Sequence, residues 1–167
     1  LPNADYLITE CTYADRKHHN PTDMKERLVQ VIRDTMDRGG KVVIPSFSVG
    51  RTQNVVYYLV SAIHEGLLDQ IPIYVDSPLS THATEVFQKH PECYDADARN
   101  FWKGMGNGDL FGHNHLVTYV TEVADSKALN ARTDPHVIIA SSGMCEAGRI
   151  LHHLKNTVWD EKNTVCV

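Results

Sequence analysis

Apolar positions along the chain change spacing repeatedly, from short runs that suit a buried strand to recurrences every three or four residues that suit one face of a helix. Tyr6, Leu7 and Ile8 form a short apolar run that reads as a strand, and a polar loop over residues 12–20 follows, carrying Arg16, Lys17, His18 and His19. Asn20, with Pro21 at the first helical position and Asp23 three residues on, is a helix-start signal. Met24, Leu28, Val31, Ile32 and Met36 then recur at helical spacing until Gly39 and Gly40 end the helix. The same alternation predicts strands over residues 41–44, 71–75, 116–120, 136–140 and 164–167, the last of them as a buried strand. Helices are predicted over residues 51–65, 80–89, 91–103, 122–130 and 146–155, with a glycine-bearing loop over 104–113. Strands separated by single helices dictate crossover connections, hence an α/β fold: a mostly parallel β-sheet flanked by helices on both faces.

Composition narrows the class without naming it. The 167 residues, 42% hydrophobic and 22% charged, suit one domain with a core and argue against disorder or a low-complexity fibre. No apolar run reaches the roughly 18 residues of a membrane span. A net charge of −5 speaks against a protein that coats nucleic acid nonspecifically, while leaving room for a local basic groove. Cys11, Cys93, Cys145 and Cys166 make neither C-x-x-C nor zinc-ribbon spacing and read as reduced thiols of a cytoplasmic protein.

In an open parallel sheet, ligands gather at the carboxyl ends of the strands. Four polar loops are expected there, at residues 9–13, 46–53, 76–80 and 141–149. In the last, Ser141, Ser142 and Gly143 just after a strand and before a helix could offer backbone amides and a positive dipole end to a phosphate, with Arg149 adding a fork. The same residues also suit a tight capped turn. Arg51 begins a helix beside Gly50, where a cation is electrostatically unfavourable unless it meets an anion or carboxylate; a solvated arginine is the alternative. Glu10 closes an apolar strand and could orient a histidine near a metal, or sit on a rim. The ten histidines form no H-E-x-x-H or H-x-H-x-D-H cluster, so most are expected at the surface or at helix ends. Tyr13 with Arg16, Lys17, His18 and His19 could track a phosphate backbone, or form a solvated loop.

As a set, the loops resemble one family. Ile8-Thr9-Glu10-Cys11-Thr12-Tyr13, then Gly39-Gly40-Lys41 through Gly50-Arg51-Thr52-Gln53, then Ile71 through Leu79, then Ile138 through Leu154 are similar, in this order, to the β-CASP nucleases. These are RNA-processing enzymes of metallo-β-lactamase fold, including the cleavage endonuclease of mRNA 3′-end processing and its prokaryotic relatives. The resemblance implies a Rossmann-like β-CASP domain that caps a catalytic metallo-β-lactamase domain and holds RNA, while two zinc ions in the complete protein activate a water. Glu10 matches the family's acidic motif and is thereby implied in the catalytic network. Cys11 and Ala14 depart from the Ser and Gly that relatives usually carry, which leaves loop shape and subfamily open.

The metal motifs of the family are absent from residues 1–167, so the chain is expected to be the β-CASP domain, with residues 1–10 the last strand of the preceding catalytic domain. On that expectation it holds no zinc of its own and is catalytically incomplete, its partners being RNA and its own metallo-β-lactamase domain, with no membrane and with a homodimer left open. A DNA-processing relative and a non-catalytic nucleotide- or protein-binding module stay as alternatives.

Overall fold

The computed structural model describes residues 3, 5–16, 22–106, 108–112 and 115–167. The helix-start pair Asn20-Pro21, the basic residues Lys17, His18 and His19, and His113 lie outside the described residues. The elements run α1 (Thr22–Asp37), β1 (Val42–Pro45), α2 (Arg51–His64), β2 (Ile73–Asp76), α3 (Pro78–Lys89), a 3-10 turn (Pro91–Cys93), α4 (Ala96–Gly104), β3 (Val117–Tyr119), α5 (Val123–Ala131), β4 (Val137–Ala140), α6 (Ile150–Thr157) and β5 (Thr164–Val165). One sheet of order β3-β2-β4-β1-β5 results, and every pairing in it is parallel rather than mostly so.

The central strands are buried on both faces, as their unbroken β-branched runs require. Val42, Ile44, Ile73, Val75, Val137 and Ile139 point into a larger core with Ile32 of α1 and Val56, Leu59 and Val60 of α2. The alternate residues Val43, Ile138 and Ala140 meet Leu129 of α5 and Ile150 of α6 in a smaller one. The helices after β1 and β2 therefore cover one face, and those after β3 and β4 cover the other. β4 lies between β2 and β1 but sends its helix to the opposite side, which makes its carboxyl end the topological switch point where ligands of open α/β sheets gather.

Several expectations need correction. Residues 6–8 form no strand: Tyr6 and Ile8 are over 90% exposed, and an apolar run without a neighbouring strand cannot satisfy its backbone. The helix expected over 91–103 is split, because the Asp95 side chain accepts the Ala98 amide and starts α4 afresh. The helix expected from 146 starts only at Ile150, since the preceding residues fold back so that the Ile150 amide reaches the Ser141 carbonyl at 3.0 Å. The last strand is a two-residue edge strand with Val165 exposed, not a buried one.

Candidate functional site

Register explains why distant loops meet. Ala140 at the end of β4 aligns with Pro45 of β1 on one side and Asp76 of β2 on the other. The residues that follow each strand therefore emerge side by side at the carboxyl edge. There the Ser48 hydroxyl lies 2.7 Å from that of Ser141, and Ser141 donates to the Ser77 hydroxyl at 3.0 Å. Ser77 caps α3 by accepting the Ser80 amide at 3.2 Å, and its hydroxyl lies 3.4 Å from that of Ser48, so the three hydroxyls close into one hydrogen-bonded ring.

The loop that carries Ser48 is held from within. Thr52 donates to the Phe47 carbonyl at 2.8 Å, and the buried Gln53 amide accepts the Gly50 N–H at 2.7 Å while donating to Thr84 at 2.9 Å. Phe47, Val49 and Met144 on the loops and Leu79 in the first turn of α3 stand exposed around the hydroxyls, an apolar rim on a polar centre. Ser142 gives its amide to the Ala147 carbonyl at 3.0 Å, so that amide is not free as the sequence alone suggested. Gly143 lies against Phe47, where a Cβ would come within 3.0 Å of the Phe47 nitrogen. Arg51 opens α2 as an exposed cation with no hydrogen bond or ion pair among the described residues.

Arg149 is occupied elsewhere. Its Nη1 donates to Asp76 Oδ1 at 2.6 Å and to the Val120 carbonyl at 3.0 Å, and its Nη2 donates to the Thr121 carbonyl at 2.6 Å. The other Asp76 oxygen accepts the Ser126 hydroxyl and His153 Nε2, each at 2.6 Å, and His153 Nδ1 meets Asn130 at 3.0 Å. Burial pushes the Asp76 carboxyl up, but the hydrogen bonds from His153, Ser126 and Arg149 outweigh it and leave the group below the usual carboxylate range. His153 is fully buried, contrary to the expectation for histidines of this chain. Its signal in the sequence was one helical turn from Arg149, with no means of seeing Asp76 as the shared partner.

Glu10 lies outside this edge. It is exposed, and its carboxylate accepts the Thr12 amide at 3.0 Å. Among the described residues no three of His, Cys, Asp and Glu are placed to hold a metal ion. Among the described residues, no helix is long and apolar enough to cross a membrane. A cavity of about 500 Å³, walled by Tyr57, Phe87, Tyr94 and Phe111 with Gln53 and Cys93 in its lining, contains none of Glu10, Arg51, Ser141, Ser142, Gly143 and Arg149.

Comparison with known proteins places this geometry. The sequence model of the Beta-Casp domain matches residues 52–167. A protein named Ribonuclease TTHA0252 from Thermus thermophilus is 33% identical over 165 residues, covering 98% of this chain and 37% of the relative. Transcription termination factor FttA of Methanosarcina mazei is 31% identical over 173 residues, covering 99% of this chain and 26% of that protein. An RNase J-like protein of Methanocaldococcus jannaschii is 31% identical over 165 residues, or 98% of this chain and 36% of its own length. The chain thus spans between about a quarter and two fifths of these relatives. Its parallel sheet, the identity to these relatives over nearly the whole chain and the match over 52–167 agree: the chain belongs to the β-CASP domain family.

Proposed function

We propose that this domain is the substrate-holding lid of a metal-dependent ribonuclease, and that the carboxyl edge of its sheet binds RNA phosphate. The observation that carries the reading is the meeting of Ser48, Ser77 and Ser141, from three separate loops, within hydrogen-bond reach at the carboxyl end of β4. The serine hydroxyls, which can turn from one another to a ligand, the Gly143 backbone and the exposed guanidinium of Arg51 make a neutral-to-cationic edge suited to a phosphodiester, and names such as ribonuclease and RNase J-like among the relatives support RNA as the polymer. The apolar rim of Phe47, Val49, Leu79 and Met144 suits contact with a second domain of the same protein. The exposed apolar side chains of residues 6–8 support the same arrangement, with that segment completing a sheet of the neighbouring domain.

Zinc in that neighbouring domain would supply an activated water. The residues of this chain bind and orient the strand, and Glu10 supports the catalytic network from the segment before α1. Competition between matched RNA and DNA oligonucleotides for the complete protein tests the substrate, RNA being preferred on this account. Metal-dependent cleavage of labelled RNA by this chain alone, surviving further purification, would overturn the assignment of the chemistry to another domain.

A further inference from the structure

Asp76, Arg149, His153 and Ser126 lie directly behind the hydroxyl edge, and nothing in the proposed RNA contact uses them. Asp76 precedes Ser77 in the chain, and its side chain leaves β2 toward the α5–α6 face, where it collects donors from three other segments. Arg149 follows Gly148, whose backbone lies so close to Ser141 that a Cβ there would stand 2.5 Å from the Ser141 carbonyl oxygen. Ser141 also accepts the Ile150 amide at 3.0 Å, and Ser142 closes on Ala147 at 3.0 Å. Residues 141–150 are thus one closed knot, and its far end is pinned to Asp76 by Arg149 and, one helical turn later, by His153. Both halves of the Ser77–Ser141 contact hang from a single carboxylate: one by covalent adjacency, the other through Arg149.

On the reading that the hydroxyl edge holds phosphate, we infer that Asp76, Arg149 and His153 are positioning residues for it, setting where Ser141 stands relative to Ser77 and Ser48 without themselves touching RNA. A well-packed apolar layer at this depth would stabilise the fold at least as well as a buried ion pair. The carboxylate adds direction: Oδ1 and Oδ2 face different donors, and Arg149 reaches on to the Val120 and Thr121 carbonyls, tying the β3–α5 junction to the same point. A lysine at 149 keeps the charge but has one nitrogen in place of the planar fork, so it cannot hold Asp76 and Val120 from one nitrogen and Thr121 from another.

The test is equilibrium binding of fluorescein-labelled single-stranded RNA to the complete protein, measured by anisotropy across a salt series, for Arg149→Ala, and for Arg149→Lys and Ser126→Ala each alone and combined with Ser141→Ala. The expected result for Arg149→Lys is an affinity loss of about fivefold, the size of one hydrogen bond, with an unchanged slope of log K against log salt. Ser126→Ala should lose about threefold, and both losses should vanish in the Ser141→Ala background, because the residue being positioned is gone. If Arg149→Lys does not fold, Ser126→Ala carries the same comparison. A shallower salt slope for Arg149→Ala, by about 0.7, would make Arg149 a phosphate contact and overturn the inference. So would losses that persist in full beside Ser141→Ala, or wild-type affinity in Arg149→Lys and Ser126→Ala while Ser141→Ala is weakened. Wild-type affinity in Ser141→Ala itself would instead overturn the phosphate reading on which the inference rests.

Discussion

Asp76→Asn tests the buried network through stability. Asp76 is fully buried, accepts three side-chain hydrogen bonds of 2.6 Å, and is the only carboxylate among the described residues that meets both Arg149 and His153. The amide keeps the volume but loses the charge and one acceptor oxygen, leaving a largely buried guanidinium and a buried ring N–H to compete for one partner. Removing one side of a buried pair costs about 3–5 kcal/mol, against a total of about 5–15 kcal/mol for a domain. At about 2–4 °C per kcal/mol for a domain of this size, the melting temperature should fall by about 6–20 °C, read by circular dichroism at neutral pH. The folded carboxyl titrates below its ordinary value, so its stabilisation is fully present above the unfolded pKa of about 3.9 and is lost as pH falls through the folded value. The gap between wild type and Asp76→Asn should therefore stay level from neutrality down to about pH 5 and close below it. A drop of under about 3 °C, or a gap that widens in acid, would refute the reasoning.

Gly148→Ala should destabilise by about 1–3 kcal/mol in urea unfolding, because φ is +84° and the new Cβ would meet the Ser141 carbonyl at 2.5 Å; a neutral result would mean that the knot can relax. Arg51→Ala in the complete protein should weaken RNA binding and reduce the salt slope by about 0.7, and an unchanged slope would place Arg51 away from phosphate. Glu10→Ala should lower kcat more than it moves KM, since its proposed task is to orient the catalytic network; an effect confined to KM would reassign it to substrate binding.

The layering was legible because period reports burial: Val42, Val43 and Ile44 form an unbroken apolar run, as a doubly covered strand must, and Val56, Leu59, Val60 and Ile63 fall on one helical face. Tyr6, Leu7 and Ile8 carry the same local signal, yet a strand also needs a partner, which local pattern does not encode. Three of the four loops expected to converge, 46–53, 76–80 and 141–149, do so, while 9–13 stays exposed apart from them; the residues that meet are Ser48 and Ser77 as much as Ser141, because strand register decides which positions emerge in line. Arg149 was visible as a cation beside a serine-glycine turn. What it binds was not, since Asp76 is 73 residues away and reaches it only through the β2–β4 pairing. Gly148 hid the true start of α6, as a positive-φ residue in a run of helix formers leaves no trace in periodicity.

The central claim is that the three hydroxyls at the carboxyl edge hold RNA phosphate. Its most direct measurement is the affinity of the complete protein for fluorescein-labelled single-stranded RNA with Ser48→Ala, Ser141→Ala and the double variant. The account predicts that each single change weakens binding by about fivefold, and that the double change costs less than the product, because the two hydroxyls share one hydrogen bond. Wild-type affinity in all three, with the fold intact by melting, would contradict it.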